Sequence, residues 1–255
     1  MNYLRASRTP DTANDRSRRL FARLGDALAA MLPQACEVCA GWAGRRAVCR
    51  ACESALPRLP ERHCPRCGDR SGSGDACARC LSHPPAFDRT IAAFAYASPV
   101  DDLVQSLKYA HRLHLAEWLG QALAETWAAG EVPISAGERP IVIPMPLHPD
   151  RLVERGFNQA TEIARPLARL LNAPIAHEAC VRVRATAPQA RMAISSRPAN
   201  VLDAFECRED LGGRTAVIVD DVMTSGASIG ELARVVRLHG ATRVVVAIAA
   251  RTLHD

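Results

Sequence analysis

The residues whose types and spacing could do chemistry form two groups, eight cysteines near the start of the chain and two neighbouring aspartates near its end. The cysteines form four Cys-x2-Cys pairs, with nine residues between the two pairs of each half: Cys36 and Cys39, Cys49 and Cys52, Cys64 and Cys67, Cys77 and Cys80. One such pair presents two thiolates to a metal ion from a tight turn, and two pairs complete a tetrahedron. The pattern therefore predicts a structural zinc module over residues 36–86, since four thiolates leave no position for a water molecule.

The sequence leaves the number of zinc ions and the pairing of the cysteines open. The repeat favours two ribbons, 36/39/49/52 and 64/67/77/80, while interleaved pairing or one degenerate site are the alternatives. A disulfide framework is the other explanation, but the chain lacks the secretory context in which disulfides persist. We expect His63 and His83 to be surface residues and not ligands, and we assign no function to Cys180 and Cys207, since cysteine is commonly buried as a small hydrophobe.

The aspartates lie in the run from Thr215 to Gly230. Four apolar residues, 216–219, predict a strand buried on both faces, and Asp220 and Asp221 follow at its carboxyl end, where open α/β sheets bind ligands. The small, hydroxyl-rich loop that comes next opens a predicted helix, and it consists of Thr224, Ser225, Gly226, Ala227 and Ser228. Amide groups at a helix N-terminus, together with hydroxyls and a flexible glycine, form a cradle for a phosphate.

Two carboxylates beside a phosphate cradle would repel the phosphate unless they serve another group. A ribose fits, because its 2- and 3-hydroxyls donate to the carboxylates while its 5-phosphate occupies the loop. The run is therefore predicted to bind a sugar phosphate. A Walker-type ATPase is not supported, since no GxxxxGK[ST] run occurs. An acidic turn without a ligand is the simpler alternative.

The elements that must position these residues alternate between strand and helix patterns. The predicted strands cover residues 91–96, 141–144, 175–183, 216–220 and 243–249, and the predicted helices cover 100–129, as one or two helices, 157–171 and 227–239. This alternation predicts an α/β domain over residues 87–255 with a mainly parallel sheet flanked by helices. Residues 1–35 are predicted to be a flexible N-terminus followed by an amphipathic helix from Ser17.

Composition and charge limit the classes of protein to consider. A hydrophobic content of 48% in 255 residues suffices for a core. Because the sequence contains no uninterrupted run of 18 apolar residues, it predicts no transmembrane helix. We expect a cytoplasmic protein, with peripheral association at the inner face of the membrane as an alternative. The formal net charge of +5 is concentrated in residues 1–86, which carry 14 arginines against 8 acidic residues. This basic region could favour an anionic partner such as nucleic acid, although a solvated surface is the simpler explanation of the charge.

The run around Asp220 closely resembles the phosphoribosyl-pyrophosphate motif of type I phosphoribosyltransferases. The resemblance implies that Asp220 and Asp221 hold the ribose hydroxyls and that the loop 224–228 holds the 5-phosphate. In that family a loop after an earlier strand binds the diphosphate, and the stretch Ile141–Pro146 stands in its place with Pro144, Met145 and Pro146. Magnesium accompanies the diphosphate in the family and is implied here in the same way.

Further stretches resemble the ComF family, the phosphoribosyltransferase-like proteins associated with competence for DNA uptake. They are the double cysteine module, residues 107–112, residues 155–160, and residues 184–190 with Arg197 and Asn200. The last set stands in the place of the hood, the mobile catalytic segment of phosphoribosyltransferases. The resemblance covers about residues 36–252. By their chemistry, Lys108, Arg155 and Arg184 are candidates to neutralise a diphosphate leaving group, and Asn158 and Gln159 are candidates to hydrogen-bond phosphate or base. No residue stands out as a general base, although His148 lies near the loop.

Three functions follow as hypotheses. The chain could bind phosphoribosyl pyrophosphate, or a related nucleotide ligand, in a DNA-uptake role together with proteins of the uptake machinery. It could be a zinc-ribbon protein that binds single-stranded DNA and uses the phosphoribosyl pocket for regulation. It could also be a nucleobase-salvage phosphoribosyltransferase. The sequence does not decide whether the chain is catalytic.

Overall fold

The structure is a computed structural model, and it describes residues 34–130, 134, 137–184 and 201–254. It divides into two compact units, Met1–Glu53 and Ser54–Asp255. The first two Cys-x2-Cys pairs belong to the first unit, and the other two belong to the same unit as the α/β sheet. The predicted helix from Ser17 lies outside the described residues, as do Arg197, Asn200 and most of the predicted hood.

The described residues form eight strands and seven helices, most of them in the second unit. In chain order the strands are β1 (Gln34–Ala35), β2 (Trp42–Gly44), β3 (Arg89–Ala95), β4 (Arg139–Pro144), β5 (Cys180–Arg182), β6 (Phe205–Cys207), β7 (Arg214–Met223) and β8 (Arg243–Arg251). The helices are α1 (Arg50–Ala55), α2 (Ala78–Ser82), α3 (Val100–Tyr109), α4 (His114–Ala129), α5 (Pro149–Arg155), α6 (Gln159–Leu171) and α7 (Ala227–Leu238).

The first unit contains a small antiparallel pair, β1 with β2. Val48 is fully buried, and the sulfur-bearing Cys36 and the small side chains of Ala43 and Ala47 are buried nearby in the sequence. Trp42, in contrast, is 79% exposed. With so little buried apolar surface in residues 34–53, we expect this described part of the unit to depend on its cysteines for stability.

Four strands of the second unit form one parallel sheet in the order β3-β8-β7-β4. The two central strands, β7 and β8, are buried over the runs 215–219 and 244–251. Uninterrupted burial of this kind requires cover on both faces, which explains why these strands read as continuous apolar runs. The predicted fold class, a mainly parallel sheet flanked by helices, is confirmed.

Helices α4 and α6 pack closely against one another. Gly120 allows this, since any side chain there would collide with the carbonyl of Ile163 and the ring of Pro166. Trp118 of α4 also stacks on Phe94 of β3, with 5.3 Å between ring centroids. These contacts fix the helical layer against the strand that forms one edge of the sheet.

Two predicted elements differ from the structure. The predicted helix 157–171 is preceded by a separate helix, α5, because Gly156 adopts φ 74° and ends it before Asn158 caps α6. The predicted strand 175–183 is reduced to β5, with an isolated bridge at Ile175, and β5 pairs with the unpredicted β6. None of the helices in the described part of the chain combines the length and apolarity needed to cross a bilayer.

Candidate functional site

The eight cysteines of the predicted zinc module form two separate clusters. Cys36, Cys39, Cys49 and Cys52 make one cluster, Cys64, Cys67, Cys77 and Cys80 make the other, and within each cluster the sulfur atoms lie within 4.8 Å of one another. Two Sγ–Sγ distances, 3.9 Å between Cys39 and Cys49 and 3.7 Å between Cys67 and Cys77, match the roughly 3.8 Å expected of thiolates about 2.3 Å from one tetrahedral zinc ion. The geometry therefore fits two four-cysteine sites for structural zinc, paired as the repeat suggested.

Backbone amides support the first thiolate of each cluster. The amide of Cys49 donates to Cys36 Sγ at 3.3 Å, and the amide of Cys77 donates to Cys64 Sγ at the same distance. Burial raises the pKa of Cys36, but these amide hydrogen bonds outweigh it and bring the pKa to about 6. The same opposition brings the pKa of Cys64 to about 7. Such hydrogen bonds stabilise the thiolate, which is the form that binds a metal.

A cavity of about 410 Å³ opens at the carboxyl ends of β4 and β7. It is lined by Lys108, Tyr109, Met145, Leu147, His148, Asp150, Arg151, Arg155, Gln159, Arg182, Asp220, Asp221, Val222, Met223, Thr224, Gly226, Ala227, Ser228 and Ile229. Lysine and arginine supply four of these side chains, and aspartate supplies three. The cavity therefore combines cations for phosphate oxygens with carboxylates for hydroxyl groups or a metal ion.

The two predicted aspartates have different surroundings. Asp221 is only 4% exposed, its Oδ1 lies 2.9 Å from Lys108 Nζ, and its buried Oδ2 has no hydrogen-bond partner within the part of the chain that the structure describes. Asp220 is half-buried and its Oδ1 accepts from the amide of Asp221 at 2.8 Å. Burial, and then the charge of Asp221, raise the pKa of Asp220 to about 7, against the opposing charge of Lys108. An unsatisfied buried carboxylate oxygen is costly, so Oδ2 of Asp221 requires a donor that a ligand hydroxyl can supply.

The predicted phosphate loop follows directly. Gly226 is the N-cap of α7 and has φ 79°, in the left-handed region that glycine occupies without strain. A Cβ at that position would lie 3.4 Å from Met223 Sδ. The loop thus places the amides of a helix start beside the aspartates, in the arrangement that binds anions at helix N-termini.

The remaining predicted residues divide between the cavity and its supports. Lys108, Arg155, Met145 and Gln159 line the cavity, and among the described residues the buried Oε1 of Gln159 has no hydrogen-bond partner. Arg155 also lies over the ring of Tyr109, 5.6 Å from its centroid.

Five others are not among the lining residues. Asn158 caps α6 and donates to the carbonyl of Met145 at 3.0 Å, so it holds the loop after β4 in place. Arg184 donates to the carbonyl of Leu202 at 2.7 Å on the exposed surface. Pro144 ends β4 and Pro146 follows Met145, while the hydroxyl of Ser225 accepts from the amide of Ala227 at 3.4 Å.

Sequence reasoning missed two basic residues of the cavity, Arg151 and Arg182. Arg151 lies on α5, the helix that was not predicted. Arg182 is two residues before Arg184, so strand alternation would have placed both on one face. Burial lowers the pKa of Arg182, while Asp220 opposes this shift and Arg151 adds to it.

Comparison with known proteins decides the family. Residues 27–81 match the family model described as a double zinc ribbon domain. The chain is 34% identical over 213 residues to DNA utilization protein YhgH of Escherichia coli strain K12, and the match covers 82% of this chain and 92% of the relative. The chain belongs to the ComF family. The YhgH protein of Shigella flexneri is similar to the same extent.

Another relative of this ComF protein carries a name from competence. Competence protein F of Haemophilus influenzae is 25% identical over 206 residues, covering 79% of this chain and 89% of the relative. Among solved structures, TT1426 from Thermus thermophilus is 21% identical with a TM-score of 0.33, covering 54% of this chain and 81% of that one. A purine phosphoribosyltransferase from Pyrococcus horikoshii is 15% identical with a TM-score of 0.29, covering 64% and 77%. At these low scores the ComF site must be judged on its own geometry.

Proposed function

We propose that this ComF protein binds phosphoribosyl pyrophosphate, or a closely related sugar phosphate, in the cavity at the carboxyl ends of β4 and β7. The observation that carries the proposal is the acidic pair, in which buried Asp221 has a carboxylate oxygen without a hydrogen-bond partner among the described residues, beside a helix-opening loop in a cavity that contains four lysine and arginine side chains. A ribose with phosphates at both ends supplies the complementary groups. Its hydroxyls donate to the carboxylates, and its phosphates accept from amides and cations.

Each part of the ligand has a counterpart among the lining residues. The ribose hydroxyls are assigned to Asp220 and Asp221, and the 5-phosphate to the loop 224–228. The diphosphate is assigned to Arg151, Arg155 and the loop after β4. Oxygen ligands and phosphates are what magnesium prefers, and it would neutralise diphosphate charge in this site.

The same arrangement could support transfer of the phosphoribosyl group. In such a step the bond between C1 of the ribose and a diphosphate oxygen breaks, and an acceptor forms the new bond to C1. The basic side chains would stabilise the negative charge on the departing diphosphate. We propose binding as the function and treat transfer, including nucleobase salvage, as an activity to be measured by diphosphate release.

The names of the relatives favour a role of this ligand site in DNA uptake or utilization, with proteins of that machinery as partners.

A second candidate function is binding of single-stranded DNA by the first unit. Trp42 is 79% exposed, and the exposed Arg45 and Arg46 follow it closely in the sequence. Stacking of bases on an aromatic side chain, with arginines near the phosphates, is the usual basis of single-strand binding.

Thermal shift measurements test the first proposal. Phosphoribosyl pyrophosphate with magnesium should raise the melting temperature of the full chain, and the double substitution Asp220→Asn with Asp221→Asn should abolish the rise. The matched control is Asp210→Asn, a surface aspartate outside the cavity lining. Absence of any shift for the wild type at millimolar ligand would reject the binding proposal.

Fluorescence anisotropy with a labelled oligonucleotide tests the second. Trp42→Ala should weaken binding by about 1–3 kcal/mol, the usual contribution of one stacked base. The affinity should also fall steeply with salt, because phosphate contacts release counterions. Unchanged affinity in Trp42→Ala would remove the first unit as the DNA contact.

A further inference from the structure

The most deeply buried charged side chain of the described residues is Arg251, at the end of β8. It has no exposed surface, yet its guanidinium is fully engaged. Its Nε donates to the carbonyl of Cys67 at 2.7 Å, and its Nη1 donates to the carbonyls of Met223 at 3.1 Å and Thr224 at 2.6 Å, and also to that of Thr252. One side chain therefore joins the second cysteine cluster to the first residues of the phosphate loop.

An acidic residue next to the cysteines completes the network. Asp69 comes two residues after Cys67, is 8% exposed, and its Oδ2 lies 3.1 Å from Arg251 Nη2. His254 donates its amide to Asp69 Oδ1 at 2.9 Å, and its ring Nδ1 lies 2.8 Å from Oδ2. A buried arginine persists only when it is paired and its hydrogen bonds are satisfied, so this network depends on every partner.

The cysteine turn also packs on the stem of the arginine. Gly68, between Cys67 and Asp69, has φ 69°, and a Cβ there would lie 3.6 Å from Arg251 Cγ. The turn that carries Cys67 therefore determines where the guanidinium lies. A metal ion fixes such a turn, because two of its residues become ligands of one tetrahedron.

The hydrogen bonds of Arg251 orient the peptide groups of the loop. In a trans peptide the carbonyl and the next amide point in opposite directions. Since the carbonyls of Met223 and Thr224 point to Arg251, the amides of Thr224 and Ser225 point away from it. The register of the sheet agrees, because Arg251 lies directly opposite Met223. The guanidinium, together with the amide of Thr252, which also donates to the Met223 carbonyl at 3.0 Å, thus sets the direction of the first amides of the phosphate loop.

We propose that Arg251 is a positioning residue that couples the metal site of Cys64, Cys67, Cys77 and Cys80 to the phosphate loop. Metal at this second site fixes the turn, the turn fixes Arg251, and Arg251 holds the loop amides in the orientation that binds a phosphate. Occupancy of the second site therefore raises affinity for a 5-phosphate ligand, whereas occupancy of the first site does not. The ligand part of this inference rests on the proposed function, but the coupling of metal to loop does not.

The repeat supplies a matched pair of variants. Cys77→Ser and Cys49→Ser remove equivalent cysteines, each thirteen residues after the first cysteine of its own cluster, and both residues are partly buried. The full chain of each variant would be analysed for zinc content, for hydrogen exchange of the loop 224–228 by mass spectrometry, and for binding of phosphoribosyl pyrophosphate with magnesium. Exchange in β4, residues 139–144, serves as the internal reference for general loss of packing.

The expected results separate the two sites. Cys77→Ser should lose the zinc ion of the second site and accelerate hydrogen exchange in the loop relative to β4. It should also weaken binding of phosphoribosyl pyrophosphate about tenfold, within the range typical of coupled sites. Cys49→Ser should lose zinc and leave both loop exchange and affinity unchanged. Arg251→Met should retain both zinc ions and still accelerate exchange in the loop, and Arg251→Lys should restore part of the protection.

Several results would overturn the inference. They are unchanged hydrogen exchange of the loop in Cys77→Ser, an equal acceleration of that exchange in Cys49→Ser, or normal exchange of the loop in Arg251→Met. If Arg251→Met does not fold, the cysteine pair and Arg251→Lys decide the question. If the wild type binds no phosphoribosyl pyrophosphate, the proposed function fails, while the exchange data still confirm or reject the coupling.

Discussion

The ion pair between Lys108 and Asp221 allows a quantitative test of the site. Lys108 lies at the end of α3, its side chain is 19% exposed, and its Nζ is 2.9 Å from a carboxylate whose side chain is 5% exposed. At this distance two unit charges attract by about 6 kcal/mol at an effective dielectric constant of about 20. Desolvation of both groups offsets part of this attraction, and breaking a buried pair typically costs about 3–5 kcal/mol. Burial lowers the pKa of Lys108, but the adjacent Asp221 reverses the shift and raises it, which keeps the ammonium group of Lys108 charged.

Lys108→Met keeps an unbranched side chain, one atom shorter, and removes the charge. We expect it to destabilise the second unit by about 3 kcal/mol, and a melting temperature lower by about 6–12 °C follows for a unit of this size. The double variant Lys108→Met with Asp221→Asn should recover most of the loss, because no uncompensated carboxylate remains. A double-mutant cycle measured by urea unfolding gives the coupling directly. Additive single effects, with a coupling below about 0.5 kcal/mol, would refute the reasoning.

Three further predictions concern the loop, the acidic pair and the metal sites. Gly226→Ala should destabilise the protein by about 1–2 kcal/mol, because alanine is strained at φ 79°. The control Gly230→Ala lies inside α7 with no atom near its Cβ position, so it should be neutral or stabilising. Equal melting temperatures for the two variants would count against the loop geometry. The pKa of Asp220 is raised to about 7, so the contribution of this carboxyl group to stability is present at low pH and lost as the pH rises through 7. A ligand that needs the ionised carboxylate should bind more tightly as the pH rises through the same value. Calorimetry in buffers of different ionisation enthalpy should therefore detect proton release on binding near that pH, and its absence, or its persistence in Asp220→Asn, would contradict the assignment. Atomic emission analysis of freshly purified protein should find two zinc ions per chain, and finding none would reject the four-cysteine sites.

The parts of the site that sequence reasoning located are local in the chain. The apolar run of β7, its two aspartates and the loop before α7 are consecutive, so propensity and turn chemistry define them together. Asp220 and Asp221 lie within β7 because that strand continues to Met223, three residues beyond the predicted end. Strand length depends on pairing with β8, which a local pattern does not contain.

The parts that were missed depend on contacts between distant segments. Arg182 faces the cavity because β5 pairs with β6, two short strands without a strong pattern of their own. Arg251 looks like a surface charge at the end of a strand, and only the packing of the cysteine turn on it explains its burial. The proximity of Lys108 to Asp221 likewise requires the packing of α3 beside the sheet. Tertiary contacts of this kind determine which charges line a site.

The central claim is that the loop 224–228 holds a ribose 5-phosphate whose hydroxyls meet Asp220 and Asp221. A crystal structure of the full chain with phosphoribosyl pyrophosphate and magnesium tests it most directly. We expect density for the 5-phosphate within hydrogen-bonding distance of the loop amides and for a ribose hydroxyl on Asp221 Oδ2. Density for the ligand elsewhere, or an empty loop in crystals grown with millimolar ligand, would contradict it.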